Sequence, residues 1–292
     1  MAKNEMKNVK RKNETSIKRI LRQLLNNKAA TVGLIIFLVE ILIAIFAPLV
    51  APYNPAEYNM TAILAGPSLE HLMGTDSLGR DLFSRVIWGA RYSLGMGIAA
   101  TAFGTIIGMI VGAICGFFGG KVDYLVMRVL DIIQAIPGTL LVFVVATVLG
   151  TGFIETVIAL GISGIAAAAR LLRASMLNIR QLEYIEASHA INCSKLRIIM
   201  SHLIPNAISP MIVSVTMGMA TTIVAGAALS FIGLGVQPPT PEWGAILSEG
   251  RGYMMNYPHY MIGAGLAIMI TCLSLNMFGD GLRDALDPKL KN

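Results

Sequence analysis

The side chains that bind metals or act as nucleophiles are few and widely scattered along this sequence of 292 residues. Its three Cys residues show no CxxC spacing and its four His residues form no HExxH pattern, so neither a structural nor a catalytic metal is expected. The nearest approach to a GxxxxGK[ST] phosphate loop is "CGFFGGKV", which lacks the first Gly and follows Lys121 with Val122. We therefore expect no catalytic residues and no metal, ATP or other cofactor bound by this chain.

One polar stretch stands out between long apolar runs, at 183–206, and it reads "EYIEASHAINCSKLRIIMSHLIPN". Its first half consists largely of helix-forming residues and stops at Asn192, a residue type that tolerates the left-handed conformation at a helix end. Ser194 is then placed to cap a second short helix, which Pro205 would interrupt. The stretch therefore predicts two short helices joined by a bend, within 181–204.

Two kinds of surface would suit the first of these helices. A helix that rests on lipid headgroups usually carries a polar face rich in Lys and Arg. Here the polar face instead presents Glu183 and Glu186 beside the small residues Ala187 and Ser188. This combination favours insertion into a groove of another protein, and binding to lipid headgroups remains the alternative.

The rest of the chain is typical of a polytopic membrane protein. It is 55% hydrophobic and 14% charged, with a mean hydropathy of +0.67, whereas soluble domains contain about 25% charged residues. A span needs about 20 apolar residues, and six such runs are present, at 29–51, 93–119, 122–149, 153–177, 208–234 and 259–280. We therefore expect an all-α fold with six transmembrane helices and these parts: a basic segment (1–28), a first helix with an outer loop (29–92), a five-helix core (93–288) and a tail (289–292).

The distribution of basic residues predicts how the chain is oriented. Most of its 23 Lys and Arg residues lie before the first span, near the turn between the second and third spans, in or near the polar stretch, or in the tail. Since basic residues are enriched in cytoplasmic loops, both termini and 181–204 should be cytoplasmic, and the loops 52–92 and 235–258 should face outward. The net charge of +6 then follows from topology, so no nucleic acid partner is expected.

The outer loops carry polar residues that suit either of two roles. Asp76 is placed to cap a helix that begins near Leu78, and Asp81 lies four residues before Arg85, on one helix face. These residues would order a surface helix, or they would contact an external protein. Trp243 would either anchor the chain at the membrane interface or take part in the same contact. The candidate contact residues are Asp76, Arg80, Asp81 and Trp243.

Three polar residues fall inside the predicted spans, where ionisable groups usually face protein or water. Glu40 lies in the middle of the first span, and Asp131 lies in the third, shortly before Gln134. We expect Asp131 to face the interior of the bundle and to pair with Arg128 or with a basic residue of a partner subunit, and lining of a pathway is the alternative. Glu40 would be either protonated or paired.

The polar stretch resembles the "EAA" signature of ABC importer permeases. That signature reads E-A-A, three residues, Gly, nine residues, and then a hydrophobic residue, any residue, Leu and Pro. The sequence follows this spacing from Glu186-Ala187-Ser188 to Pro205, with Asn192 at the position of the Gly. Ile204 replaces the Leu, and His202 takes the place of the hydrophobic residue.

Further motifs extend the resemblance over about residues 29–288. The stretches "FAPLVAPYNP", "MGTDSLGRDLFSRVIWGARYSL", "LSFIGLGVQPPTPEWGAIL" and "NMFGDGLRDALDP" are similar to the peptide/nickel class of these permeases, and to its second permease subunit type. The resemblance implies a type I ABC importer permease fold in a bacterial cell membrane. The implied partners are a homologous second permease, two cytoplasmic ATPase subunits that bind ATP and Mg, an external substrate-binding protein and membrane lipid.

The resemblance also implies roles for residues of the polar stretch, as a coupling helix seated in a groove of the ATPase. Glu186 would accept a charge-assisted hydrogen bond from the groove, and the small residues would allow close approach. The coupling residues are Glu183, Glu186, Ala187, Ser188, Asn192, Ser194 and Pro205. The imported solute would be a di- or oligopeptide, with nickel or a metal chelate as the alternative. A secondary transporter that works alone and a membrane-bound enzyme are the competing classes of function.

Overall fold

The computed structural model describes residues 16–286, and it is helical apart from loops and one isolated antiparallel bridge between Thr75 and Asp81. The predicted basic segment lies partly outside the described residues, and the predicted tail lies wholly outside them. Twelve α-helices are described: α1 (Ser16–Asn26), α2 (Lys28–Ile45), α3 (Ala47–Val50), α4 (Leu82–Phe118), α5 (Gly120–Ala135), α6 (Gly138–Leu149), α7 (Phe153–Arg180), α8 (Glu183–Ala190), α9 (Lys195–Ile198), α10 (Ile204–Phe231), α11 (Trp243–Gly250) and α12 (His259–Leu286). A π-helical turn, Ile199–Leu203, joins α9 to α10.

Five continuous segments are long and apolar enough to cross a membrane: α2, α4, α7, the segment Ile199–Phe231 and α12. The sixth predicted span, 122–149, is not one straight helix, because α5 and α6 meet at a bend of 90°. The break falls at Ile136 and Pro137, where Ile136 is extended (φ −80°, ψ 125°). Pro disfavours the helical conformation of the residue before it and supplies no N–H group to the helix. The six predicted spans are thus five continuous helices and one bent pair.

The core of the described bundle is the packing of α4 against α7. Small residues recur every four positions along α4, at Gly104, Gly108 and Gly112, so they share one helix face. A Cβ atom at Gly104 would lie 2.5 Å from the carbonyl oxygen of Gly161, and one at Gly112 would lie 2.4 Å from that of Ala169. The missing side chains let the two backbones approach closely, which is a common way for membrane helices to associate.

The two ends of α4 mark the two ends of the bundle. At its start, Trp243 of α11 donates its indole Nε1–H to the carbonyl oxygen of Val86 (2.9 Å). At its finish, Arg180, the residue that ends α7, donates to the carbonyl oxygen of Phe117 (3.2 Å), close to α8. Val86 and Phe117 lie 31 residues apart on α4, which separates these places by about 45 Å at about 1.5 Å per residue. These places are called the α11 end and the α8 end below.

Candidate functional site

The predicted bend after α8 is present, and it is stabilised by the local chemistry of Asn192. This residue has φ = +57°, in the left-handed region. The amide of Cys193 donates to the carbonyl oxygen of Ser188 (3.1 Å), which is the six-residue closure of a Schellman motif. Ser194 then precedes α9, and its hydroxyl oxygen accepts a long hydrogen bond from the amide of Arg197 (3.4 Å). The predictions of a short first helix, Glu183–Ala190, and of a bend at Asn192 before a second helix are therefore confirmed.

Pro205 does not interrupt the second helix, which corrects the prediction. The chain remains helical from Lys195 through the π-helical turn into α10, and Pro205 lies in the first turn of α10. In that wider turn the amide of Ile204 donates to the carbonyl oxygen of Ile199, five residues back. The π-helical turn accommodates a residue that has no N–H group and whose ring crowds the preceding turn.

The segment 181–204 is fixed to the bundle by an apolar underside. Ile185, Ile198 and Leu203 are almost fully buried, in one cluster with Leu172 and Met176 of α7. Burial of such side chains contributes about 1.5–3 kcal/mol each. The segment is therefore held against α7 and α10 rather than extending away from the bundle.

The opposite side of the segment is open and carries most of the predicted coupling residues. Glu183, Glu186, Ala187, Asn192 and Ser194 are exposed. Apolar residues lie among them, with Ile191 75% exposed. An exposed surface that combines two carboxylates with apolar side chains is better suited to contact with a protein partner than to contact with lipid headgroups.

Ser188 is an exception among the predicted coupling residues. Its side chain is buried, and its hydroxyl donates to the carbonyl oxygen of Tyr184 (2.7 Å). This face of α8 therefore packs inward, and the close approach of a partner expected from the small size of Ser188 stays a prediction. Pro205 is exposed, but it lies in α10, beyond the bend.

At the α11 end, the predicted cap and helix of the outer loop are wrong in detail. The helix begins at Leu82, and its cap is Asp81, whose carboxylate accepts from the amide of Ser84 (2.7 Å). Asp76 lies in a tight turn, where its Oδ1 accepts from the amides of Leu78 (2.8 Å) and Arg80 (2.9 Å). Asp81 pairs with His71 at 2.9 Å, and among the described residues the carboxylate of Asp81 forms no ion pair with the side chain of Arg85, although the Arg85 amide donates to the Asp81 carbonyl oxygen (3.1 Å).

A buried ion-pair cluster made of Asp76, Arg80, Arg85 and Glu249 joins the outer loop to α11. Asp76 Oδ2 contacts Arg80 Nε at 2.5 Å and also contacts Arg85 Nη1. Glu249 Oε2 lies 2.6 Å from Arg85 Nη1 and 3.0 Å from Arg80 Nη2. Burial disfavours the charged Arg80 guanidinium, yet the carboxylates of Glu249 and Asp76 outweigh this effect and raise the pKa of Arg80.

The four candidate contact residues of the outer loops are all buried in the described chain. Asp76 and Arg80 belong to the ion-pair cluster, and Asp81 caps α4. Trp243 is 2% exposed and packs in the apolar core at this end, where a Cβ atom at Gly89 would lie 2.8 Å from its indole ring. Neither direct contact with an external protein nor anchoring in the membrane interface fits the Trp243 side chain, so these predictions are corrected.

Glu242, which the sequence did not single out, is a further buried carboxyl at this end. It caps α11 by accepting from the amide of Ala245 (2.9 Å), and it accepts from the hydroxyl of Ser93 on α4 (2.9 Å). Burial is the largest influence and raises the pKa of Glu242, although hydrogen bonds from the α11 amides oppose it. Glu242 and Ser93 thus fix α11 across the start of α4.

The polar residues predicted inside the spans are placed differently from one another. Asp131 is not in the bundle interior: its carboxylate is 48% exposed and pairs with Arg170 of α7 (2.6 Å), with Arg128 farther away (3.8 Å). Gln134 is also exposed. Glu40 accepts from the hydroxyl of Thr271 on α12 (3.1 Å), and among the described residues no partner is found for its buried Oε2.

The sequence reasoning missed two charged contacts between helices. Arg170 and Arg173 of α7 pair with Asp131 and Asp123 of α5, beside an apolar cluster in which Leu130 of α5 packs with Ala166 and Ala169 of α7. No local spacing specifies these partners, because the paired residues lie 39 and 50 positions apart along the chain. Among the described residues, no group of three potential ligands could hold a metal ion.

Comparison with known proteins relates this arrangement to a family. Residues 104–292 match the family described as "Binding-protein-dependent transport system inner membrane component", and residues 15–67 match the "N-terminal TM domain of oligopeptide transport permease C". The dipeptide transport system permease protein DppC of Alkalihalophilus pseudofirmus is 44% identical over 93% of this chain and 89% of its own length. The glutathione transport system permease protein GsiD of Escherichia coli is 45% identical over 90% of this chain and 87% of its own.

A solved structure supports the same fold. A chain of the inward-facing MetNI methionine ABC transporter superposes with a TM-score of 0.58 and 21% identity, and the match covers 70% of this chain and 96% of that one. The family match covers more than half of the sequence, and the relatives match nearly its whole length. The chain therefore belongs to the inner membrane components of binding-protein-dependent transport systems, as an ABC permease of the peptide class.

Proposed function

We propose that the chain forms half of the pathway of an ATP-driven importer for short peptides. The observation that carries the proposal is the exposed surface of α8, on a segment fixed to the bundle by its buried apolar side. Energy enters there, from two ATPase subunits that bind ATP and Mg, since this chain has no phosphate loop of its own. A short peptide is the favoured solute because the two relatives described above are named for dipeptide and glutathione transport.

The remaining partners follow from the same proposal. A homologous second permease completes the pathway, and a substrate-binding protein delivers the solute at the α11 end. Both termini and α8 lie on the cytoplasmic side of a bacterial cell membrane, as the distribution of Lys and Arg predicts. Closure of the ATPase pair would move the α8 helices of the two permeases together and shift the bundle between two states.

Reconstitution tests the proposed function directly. The complex of both permeases and both ATPases is placed in proteoliposomes, and uptake of a radiolabelled dipeptide is measured with the binding protein outside. We expect uptake that requires both ATP and the binding protein. Uptake of nickel with no uptake of dipeptide would contradict the choice of solute, and peptide uptake by the two permeases alone would favour a secondary transporter.

The bend at Asn192 gives a prediction for the same assay. Asn192→Gly should keep uptake within about twofold of wild type, because Gly adopts the left-handed conformation without steric cost. Asn192→Val should reduce uptake clearly, because a β-branched residue there costs at least about 1–2 kcal/mol and favours a different end to α8. Equal uptake by the two variants would show that the position of α8 does not depend on this turn.

A further inference from the structure

A cavity of about 320 Å³ lies between α6, α7 and α10. Its volume is at the lower end of the usual range for ligand pockets, about 300–1,000 Å³. Hydroxyl groups face it from all three helices, and the other residues that line it are small or apolar. The hydroxyl-bearing residues are Thr139, Ser163, Thr221 and Thr222.

The cavity lies near the middle of the membrane-spanning bundle. The first residue of α7 and the last residue of α10 both lie at the α11 end. Ser163 is about ten residues from the first residue of α7, and Thr222 is about nine residues from the last residue of α10. These positions correspond to a depth of about 15 Å along each helix, which is half of a hydrocarbon core of about 30 Å. The break between α5 and α6 is at the same place, since Gly138 and Thr139 also line the cavity.

The hydrogen bonds of these hydroxyls indicate what they offer to a ligand. Ser163 donates to the carbonyl oxygen of Leu160 (2.7 Å), and Thr221 and Thr222 both donate to that of Gly218 (2.8 and 2.9 Å). Because these hydroxyl protons are already used, the oxygen lone pairs remain available to accept N–H donors. None of the described residues lining the cavity is ionisable, so the ligand would be recognised by neutral hydrogen bonds.

A charged pair continues the same surface toward the α8 end. Arg170 lies seven residues after Ser163 on α7, which is two turns, so the two side chains share one helix face. Arg170 and Asp131 pair at 2.6 Å, and their side chains are 40% and 48% exposed. Charged side chains within membrane spans face water or protein, because exposure to lipid is costly. This face of α7 is therefore turned away from lipid.

We propose that this surface is the wall of the translocation pathway and that the cavity binds the main-chain amides of a passing peptide. Main-chain N–H groups are the donors that every peptide shares. Hydroxyl acceptors in a cavity lined by no ionisable residue would therefore bind peptides of different sequence with similar affinity. The inference rests on the proposed function and adds a binding site and its chemistry. It also assigns the choice among peptides to a site elsewhere in the transporter.

Cysteine accessibility tests whether the cavity is open to water. In the reconstituted transporter, Thr222→Cys should react with a cationic methanethiosulfonate reagent at least about tenfold faster than Val224→Cys, because only an accessible thiolate reacts. Val224 is a matched control on the same helix that is exposed but does not line the cavity. Saturating dipeptide during turnover should slow the labelling of Thr222→Cys. No labelling above wild type would place lipid or the second permease over this surface and overturn the proposal.

Uptake measurements test whether peptide passes through the cavity. Thr222→Trp should lower dipeptide uptake by about tenfold or more, because the indole ring would fill much of the space, whereas Val224→Trp should change uptake less than about twofold. Thr222→Val keeps the shape but removes the acceptor, and it should lower uptake by about threefold. Size-exclusion chromatography of each complex shows whether assembly is preserved.

The outcomes separate this inference from the proposed function. Wild-type uptake together with unchanged uptake by Thr222→Trp and Thr222→Val would overturn the peptide site and leave the importer function intact. If the wild-type complex takes up no peptide with ATP, the proposed function fails and the peptide site fails with it.

Discussion

The Glu186→Lys variant should reach the membrane in normal amounts and lose ATP-driven uptake. Glu186 is exposed in the first turn of α8, so its replacement removes no internal contact of the described chain. If its carboxylate accepts a hydrogen bond from a basic residue in the ATPase groove, reversing the charge should cost about 2–5 kcal/mol of docking free energy. That loss would detach the ATPase at ordinary concentrations, and uptake should fall to background.

Two measurements check this prediction. Dipeptide uptake is assayed in proteoliposomes, and the ATPase that co-purifies with the permease is quantified on the same preparation. Glu57→Lys serves as the control, because Glu57 is an exposed carboxylate near the α11 end, far from α8. Normal uptake by Glu186→Lys would exclude a role for this carboxylate in coupling. Loss of uptake with unchanged ATPase content would place its role after docking.

The geometry of the bend in the segment 181–204 could be predicted because it depends on local chemistry. Asn192 adopts the left-handed conformation through a preference of its own side chain and backbone, and the closing hydrogen bond spans only six residues. The inward face of α8 was harder to predict. Ser188 and Ala187 are both small, and only the packing of Ile185 against α7 decides which of them is exposed.

The polar contacts at the α11 end could not be predicted, for a physical reason. Arg85 and Glu249 are 164 residues apart, and nothing in the sequence near either residue specifies the other. The sequence did show two acids and two Arg residues within "TDSLGRDLFSR". Helical spacing suggested pairing Asp81 with Arg85, but Asp81 is occupied as the cap of α4 and the partner of His71. Such a competition between partners is decided by tertiary structure.

The Asp76→Asn variant should be strongly destabilised, because Asp76 is the central carboxylate of the buried ion-pair cluster. Asp76 and Arg85 are fully buried, and Arg80 is 2% exposed. An Asn side chain has nearly the same shape but leaves two buried guanidinium groups with Glu249 as the remaining carboxylate. Breaking a buried pair in this way costs about 3–5 kcal/mol. The apparent unfolding midpoint should fall by about 10 °C.

A thiol-reactive fluorescent dye provides the measurement on detergent-purified protein, because Cys115 is fully buried and becomes reactive on unfolding. Glu57→Gln is the matched control, since it neutralises an exposed carboxylate of the same loop and should change the midpoint little.

The double variant Asp76→Asn with Arg85→Met removes a cation together with the carboxylate. The double variant should recover part of the lost stability, because the destabilising effects of two substitutions are not additive when the two side chains stabilise each other. A midpoint for Asp76→Asn equal to that of Glu57→Gln would show that the outer loop is not fixed to α11 by these charges, and that apolar packing around Trp243 holds this end of the bundle instead.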